Sequence, residues 1–179
     1  MSMHPTRNLF KEYKNKYFVE TGTHRGDAIQ LAIEAKFEFI RSIDIDSSAR
    51  DFCVHRFDLE NNRWWNIDLM TGDSAHALWL MIEDITEPIT FWLDAHWQMF
   101  ENTEPGSNPF PLLDEIQQIS EHPVKNHTIM IDDMLIMQWN IVGYDIGLIK
   151  TRIEYINPKY EFKMFANPVV NGIMVAYVP

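Results

Sequence analysis

Five short apolar runs alternate with helix-patterned stretches along the chain, and this alternation restricts the fold more than any other feature. The runs are KYFVE (16–20), FEFIRSID (37–44), WWNIDLMTGDS (64–74), ITFWLDAH (89–96) and HTIMIDD (127–133). Between them lie DAIQLAIEA, SARDFCVHRF, AHALWLMIEDI and PLLDEIQQISEH, long enough to carry a chain back across a sheet as helices. Strands joined by such crossovers run parallel, because a parallel return needs a dozen or more residues. Phe91, Trp92 and Leu93 do not alternate with polar residues, as expected of a central strand buried on both faces.

Smaller signals fix the ends of these elements. Residues 6–13 form a helical lead-in, Ser47 or Ser48 is placed to cap the third helix, and Gly72 breaks the third strand. Pro111 falls in the first turn of its helix, where its missing N–H costs nothing. Near the end, YEFKMFA and GIMVAYV flank NPVVN, which leaves no room for a crossover helix, so these two strands pair antiparallel. The expectation is a doubly wound, Rossmann-like α/β fold. Its mostly parallel seven-stranded sheet carries five parallel strands and a C-terminal antiparallel hairpin, with helices on both faces. One domain would span 1–179, with 1–15 as its lead-in.

Charge narrows the partners. A formal net charge of -11 disfavours a phosphate-binding face, so nucleic acid is not expected and a small molecule or sugar is. The N-terminal stretch lacks the apolar core of a signal peptide, and no apolar run approaches the roughly 20 residues of a membrane span. A cytoplasmic protein without a membrane partner is the default reading. The oligomeric state stays open, a homodimer included. The lone Cys53 cannot form an internal disulfide and reads as core packing.

Each strand of the parallel set ends in glycine or a carboxylate: Glu20 and Gly22, Asp44, Gly72-Asp73-Ser74, Asp94 with His96, and Asp132-Asp133. One such acid is ordinarily a solvated cap. Five consecutive strands ending this way place the chemistry on one edge of the sheet, where ligands of doubly wound folds bind. Gly22 and Gly26 permit a sharp turn and a close helix start, while the dinucleotide pattern G-x-G-x-x-G is absent because position 24 is His. Asp44 stands where a carboxylate typically accepts from a ribose diol.

The pattern Glu-x-Gly-x-x-x-Gly at 20–26, the acidic end of SIDID, the GDS turn and the LDAHW and IMIDDM strand ends resemble the class I S-adenosylmethionine-dependent methyltransferases. Within them the likeness is to metal-dependent O-methyltransferases of the catechol and macrolide-sugar type. The resemblance implies that Glu20, Gly22, Thr23 and Gly26 surround the methionine part of S-adenosylmethionine. It implies further that Asp44 holds the ribose hydroxyls, and that Gly72, Asp73 and Ser74 border the adenine. It assigns Asp94, Asp132 and Asp133 to a divalent ion, with Asp94 also beside the cofactor. Three carboxylates without a nearby cysteine independently favour a hard ion, Mg²⁺ or Ca²⁺, with Mn²⁺ also admissible. His96 is a candidate proton acceptor for an attacking hydroxyl, and Asp94 or solvent could serve instead. Trp97 and Trp139, after the two metal-ligand strands, are candidates for the acceptor pocket. Two departures stand out: Trp97 occupies the position nearest the lysine base of catechol-type enzymes, and the long N-terminal helical extension is missing.

Three other readings compete. YINPK (155–159) has the Tyr-x-x-x-Lys spacing of an NAD(P)-dependent reductase, but Pro158 interrupts the helix that spacing needs. A metal hydrolase built on Asp94 and His96 lacks further histidines at ligand spacing, His122 and His127 lying at a helix end and a strand start. A noncatalytic S-adenosylmethionine-binding protein is the third.

Overall fold

The computed structural model describes residues 5–61, 64–96, 106–134, 145–167 and 170–179. Its elements run α1 (Pro5–Glu12), β1 (Tyr17–Thr21), α2 (Asp27–Glu34), β2 (Phe39–Asp44), α3 (Ser47–Arg56), β3 (Ile67–Thr71), α4 (Ser74–Ala77), β4 (Ile89–Leu93), α5 (Leu112–Glu121), β5 (Thr128–Ile131), α6 (Ile146–Ile156), β6 (Glu161–Asn167) and β7 (Val170–Tyr177). The strands form one sheet in the order β3-β2-β1-β4-β5-β7-β6. β1 to β5 pair in parallel, and β7 is antiparallel to both β5 and β6. The expected architecture is therefore present, with the reversal of strand order between β1 and β4.

Side-chain alternation explains the two layers of helices. Val19, Ile43, Phe91, Leu93, Ile129 and Ile131 pack on one face with Ile116 and Ile119 of α5 and Ile149 and Ile153 of α6. Phe18, Ile40, Trp92 and Met130 pack on the other with Phe10 of α1, Ile29 and Ala32 of α2 and Cys53 of α3. Every residue of β4 is buried, because both faces of this central strand are covered. Trp92 lies edge-on to Phe10 with ring centroids 5.1 Å apart, and Cys53 is fully buried, so both are core residues as expected.

Several boundaries differ from the sequence expectation for local reasons. The cap of α3 is Asp46, whose carboxylate accepts from the Ser48 N–H at 2.8 Å, rather than either serine. The third strand begins only at Ile67, with Trp64 and Trp65 in the turn before it. The expected long helix AHALWLMIEDI is a single α-turn continued as a tighter 3₁₀ turn over Leu78–Met81. Pro111 is the N-cap of α5 and not its first helical residue, and β6 and β7 extend into NPVVN.

The amino-terminal edge of the sheet is locked by two buried histidines. The Ile89 N–H donates to His127 Nδ1 at 3.1 Å, so His127 carries its proton on Nε2 and donates it to His122 Nδ1, also at 3.1 Å. His122 must then be protonated on Nε2, which faces the Ile85 and Ile82 carbonyls at 2.9 and 3.2 Å. The relay ties the starts of β4 and β5 to the end of α5 and the 3₁₀ turn, and it occupies both rings far from any ligand role.

Burial pushes the His127 imidazole down to about 3, with the neighbouring His122 adding to the effect. The folded chain keeps this ring neutral while the unfolded chain takes up a proton near 6.5, so stability is whole above that pH and is lost on acidification below it. Subtracting the urea stability of His127→Gln from that of the wild type at each pH isolates this contribution from the opposing buried carboxyls: the difference should be flat above pH 6.5 and fall by up to about 1.4 kcal/mol per pH unit below it.

Candidate active site at the carboxyl edge of the sheet

Gly22 follows β1 with φ +86°, and a Cβ there would stand 2.9 Å from the Asp94 carbonyl oxygen. Only glycine lets the end of β1 approach the end of β4 this closely without strain. The ladder runs on through these ends: the Gly22 N–H donates to Ile43 O at 2.9 Å, Gly72 to Asp44 O at 2.8 Å, Asp94 to Thr21 O and Asp132 to Leu93 O at 3.2 Å. The ends of β1 to β5 are thereby held in register on either side of the point where strand order reverses. Gly26, at φ +74°, caps α2, and a Cβ on it would meet Cys53 Sγ and a Phe57 ring carbon at 2.8 Å.

Glu20 is almost completely buried at the end of β1, in register with Ser42 of β2. Ser42 Oγ donates to Glu20 Oε2 at 2.7 Å and accepts from Thr23 Oγ1 at 2.6 Å. Burial pushes the Glu20 carboxyl up to about 8, the Ser42 bond opposing it and the charges of Asp44 and Asp27 adding to it. Asp44 is half-buried, its Oδ2 accepting the His24 N–H at 2.8 Å and its Oδ1 the Asp46 N–H at 2.9 Å. Two backbone donors fix this carboxylate yet leave further acceptor capacity on each oxygen, which suits a vicinal diol.

The turn after β3 is braced from α5. Ser74 Oγ donates to Glu115 Oε1 at 2.6 Å, and Gln118 Nε2 donates to the Ser74 and Ala75 carbonyls at 2.8 and 3.0 Å. Burial raises the Glu115 carboxyl to about 7 against the Ser74 bond. Asp73 caps α4 through the Ala75 N–H at 3.0 Å and also accepts from Ser107 N–H and Oγ at 2.9 and 2.6 Å. Burial works against ionisation here, but these hydrogen bonds outweigh it and hold the Asp73 carboxyl below its ordinary range.

At the ends of β4 and β5, Asp94, His96 and Asp133 converge, with one ligand-capable atom of each within 4.8 Å of the others. His96 Nε2 is 3.4 Å from Asp133 Oδ2, and His96 Nδ1 is 3.8 Å from Asp94 Oδ1 and 3.2 Å from the Asp94 carbonyl oxygen. Asp133 adopts φ +55°, and its N–H donates to Asp132 Oδ1 at 2.8 Å. Asp132 thus stands next to the trio rather than in it. Burial raises the Asp94 carboxyl well above its ordinary value, and the charges of Asp132, Asp133 and Glu20 raise it further. Among the described residues no lysine or arginine pairs with Asp94 or Asp133.

Glu20, Gly22, Thr23, Gly26, Asp44, Asp94, His96, Asp132 and Asp133 therefore share the carboxyl edge with Gly72, Asp73 and Ser74. Trp97 and Trp139 lie outside the described residues. Sequence reasoning did not single out Ser42, Glu115, Gln118 or Ser107. Ser42 was detectable, since a serine on the inward alternation of a buried strand needs a polar partner. The bonds from α5 and from Ser107 are tertiary and left no local signal. The reductase-like pair is not assembled: α6 ends at Ile156, and Tyr155 is 85% exposed.

No protein-family model matches the sequence, and no curated relative matches it either. Solved structures do match the fold. The O-methyltransferase from Bacillus cereus in complex with SAH superposes with a TM-score of 0.67 at 13% identity, covering 99% of this chain and 83% of that one. The O-methyltransferase TomG from Streptomyces achromogenes, in complex with SAM, gives 0.63 at 11% identity over 96% and 77% of the two chains. An rRNA methylase from Streptococcus thermophilus gives 0.60 at 12% identity over 99% and 98%. The fold is thus that of the class I S-adenosylmethionine-dependent methyltransferases.

The buried carboxyl of Glu20 makes a stability prediction. It ionises near 4.5 in the unfolded chain and near 8 in the folded one, so rising pH favours unfolding through that window. Glu20→Gln should remove this contribution. Subtracting its urea stability from that of the wild type at each pH should give a difference that falls from pH 4.5 to 8 and is flat beyond.

Proposed function

We propose that the chain is an S-adenosylmethionine-dependent O-methyltransferase that methylates a hydroxyl of a small molecule or sugar with the help of a divalent ion. The observation carrying this reading is the meeting, where strand order reverses, of a fixed diol-accepting carboxylate, a buried glutamate and a metal-competent trio. The O-methyltransferase neighbours support the same activity through the shared fold.

Each residue has a definable task. Asp44, oriented by two backbone N–H groups, accepts the ribose hydroxyls. Gly22 and Gly26 let the first loop pass close to the ligand, and Glu20 offers a carboxylate to the positively charged methionyl part. A cationic ligand also relieves the carboxylates that raise one another's proton affinity at this edge. The turn at Gly72, Asp73 and Ser74, braced by Glu115 and Gln118, forms the adenine side. Asp94 and Asp133 hold the ion, whose chemistry when bound is to polarise the acceptor hydroxyl and orient it toward the methyl group. The strand ends then fix nucleophile and methyl donor in line, which is where most of the acceleration of such a displacement arises.

Calorimetric titration with S-adenosylmethionine tests this directly. Micromolar binding is expected in the wild type, and Asp44→Ala should weaken it by at least about tenfold while leaving the fold intact, one charged hydrogen-bonding group being worth roughly 1.5–3 kcal/mol. Methyl transfer to a panel of sugar and phenolic hydroxyls should be lost on chelation. No binding at millimolar cofactor would overturn the reading, and cofactor binding without transfer to any acceptor would favour the noncatalytic alternative.

A further inference from the structure

We propose that His96 is a metal ligand, completing an Asp94-His96-Asp133 site selective for a transition ion of the manganese class over magnesium. The inference deepens the reading of this edge as a metal-assisted transfer site and rests on it, while reassigning His96 from proton acceptor to ligand.

The geometry of the ring carries the assignment. His96 Nδ1 lies 3.2 Å from the backbone carbonyl of Asp94, an atom that can only accept. Nδ1 is therefore the protonated nitrogen, and Nε2 presents a lone pair. That lone pair faces Asp133 Oδ2 across 3.4 Å. Two acceptors this close repel unless a proton or a metal ion lies between them, and the second carboxylate, Asp94, with its Oδ1 3.8 Å from the ring, favours the metal ion. An imidazole held by an Nδ1–H bond to a backbone carbonyl, with Nε2 turned to carboxylates, is the arrangement in which histidine ordinarily binds metal.

The spacing agrees. An octahedral ion with bonds of about 2.1 Å sets neighbouring ligand atoms about 3 Å apart and opposite ones about 4.2 Å apart. The Nε2 to Oδ2 separation of 3.4 Å falls in that range, and the whole trio lies within 4.8 Å, so small side-chain rotations close the site. Asp94 and Asp133 follow the ends of adjacent parallel strands, whose pairing continues through the Asp132 N–H to the Leu93 carbonyl, and the Asp133 N–H donates to Asp132 Oδ1, which frames the site.

The donor set then decides the ion. Imidazole nitrogen suits first-row transition ions such as Fe²⁺ and Ni²⁺, and Mn²⁺, at the weak end of that series, takes a mixed nitrogen and oxygen set, whereas Mg²⁺ prefers oxygen donors and retained water.

The test uses Mn²⁺ and Mg²⁺ on the full chain without cofactor or acceptor. Competition titration should show Mn²⁺ binding at least tenfold tighter than Mg²⁺, and pulsed EPR of the Mn²⁺-loaded protein should show coupling to one ¹⁴N nucleus. Growing the protein with ¹⁵N-histidine should shift that coupling, a readout that needs no variant. His96→Gln should abolish the coupling and narrow the preference for Mn²⁺, while Asp133→Asn should weaken binding yet keep the coupling. Absence of Mn²⁺ binding, binding without nitrogen coupling, or coupling that persists in His96→Gln would each overturn the assignment. S-adenosylmethionine titration of the same samples reports the cofactor reading separately, so either can fail alone.

Discussion

The approach of β1 to β4 at Gly22 is the contact on which the rest of the site depends. A backbone carbonyl 2.9 Å from where a Cβ would stand leaves no tolerance for any other residue. At this distance Glu20, at the end of β1, joins the electrostatic neighbourhood of Asp94, at the end of β4, and its charge reaches that carboxyl. A wider gap would separate the loop after β1 from the Asp94, His96 and Asp133 cluster. Under the proposed function it would also misalign nucleophile and methyl donor, and a misplacement of about 1 Å can cost on the order of 100-fold in rate.

That closeness has an electrostatic cost concentrated at one edge. Asp132, Asp133 and Glu20 all raise the proton affinity of Asp94, and Asp44 and Asp27 do the same to Glu20. Such mutual repulsion persists only because the surrounding sheet over-determines the geometry, and strongly perturbed carboxyls of this kind cluster at functional sites. The opposite edge is built otherwise. There His122 and His127 satisfy each other and four backbone groups through one self-consistent set of tautomers, with donors matched to acceptors throughout. A polar network complete in itself rigidifies a fold.

Most of the fold was legible because its determinants are local and periodic. The unbroken apolar run Phe91 to Leu93 announces burial on two faces, and the terminal strands are too close in sequence to be anything but a hairpin. The boundaries that were misjudged are those set by side-chain bonds or by helix type. Asp46 outcompetes the two serines as a cap because its carboxylate reaches the Ser48 N–H, and AHALWLMIEDI tightens into a 3₁₀ turn as its backbone meets Gln118 and His122 from outside the segment. At the site, the strand-end carboxylates were legible from their position in the α/β alternation. The partners of Glu20 and Ser74 were not, since Ser42 and Glu115 reach them across the sheet and from α5.

His96 shows how a short motif changes meaning once its backbone is known. In FWLDAHW an aspartate and a histidine two residues apart suggest an acid and a base acting on the same proton. The strand ends at Leu93, and over the next three residues the ring turns back so that Nδ1 meets the Asp94 carbonyl. A base needs its lone pair aimed at substrate. Here Nε2 is aimed at Asp133 instead, just past the end of the neighbouring strand, so the same two side chains become two corners of the proposed ion site. An ion held by Asp94, His96 and Asp133 would lower the proton affinity of a bound hydroxyl, so that water or a carboxylate oxygen would suffice as acceptor.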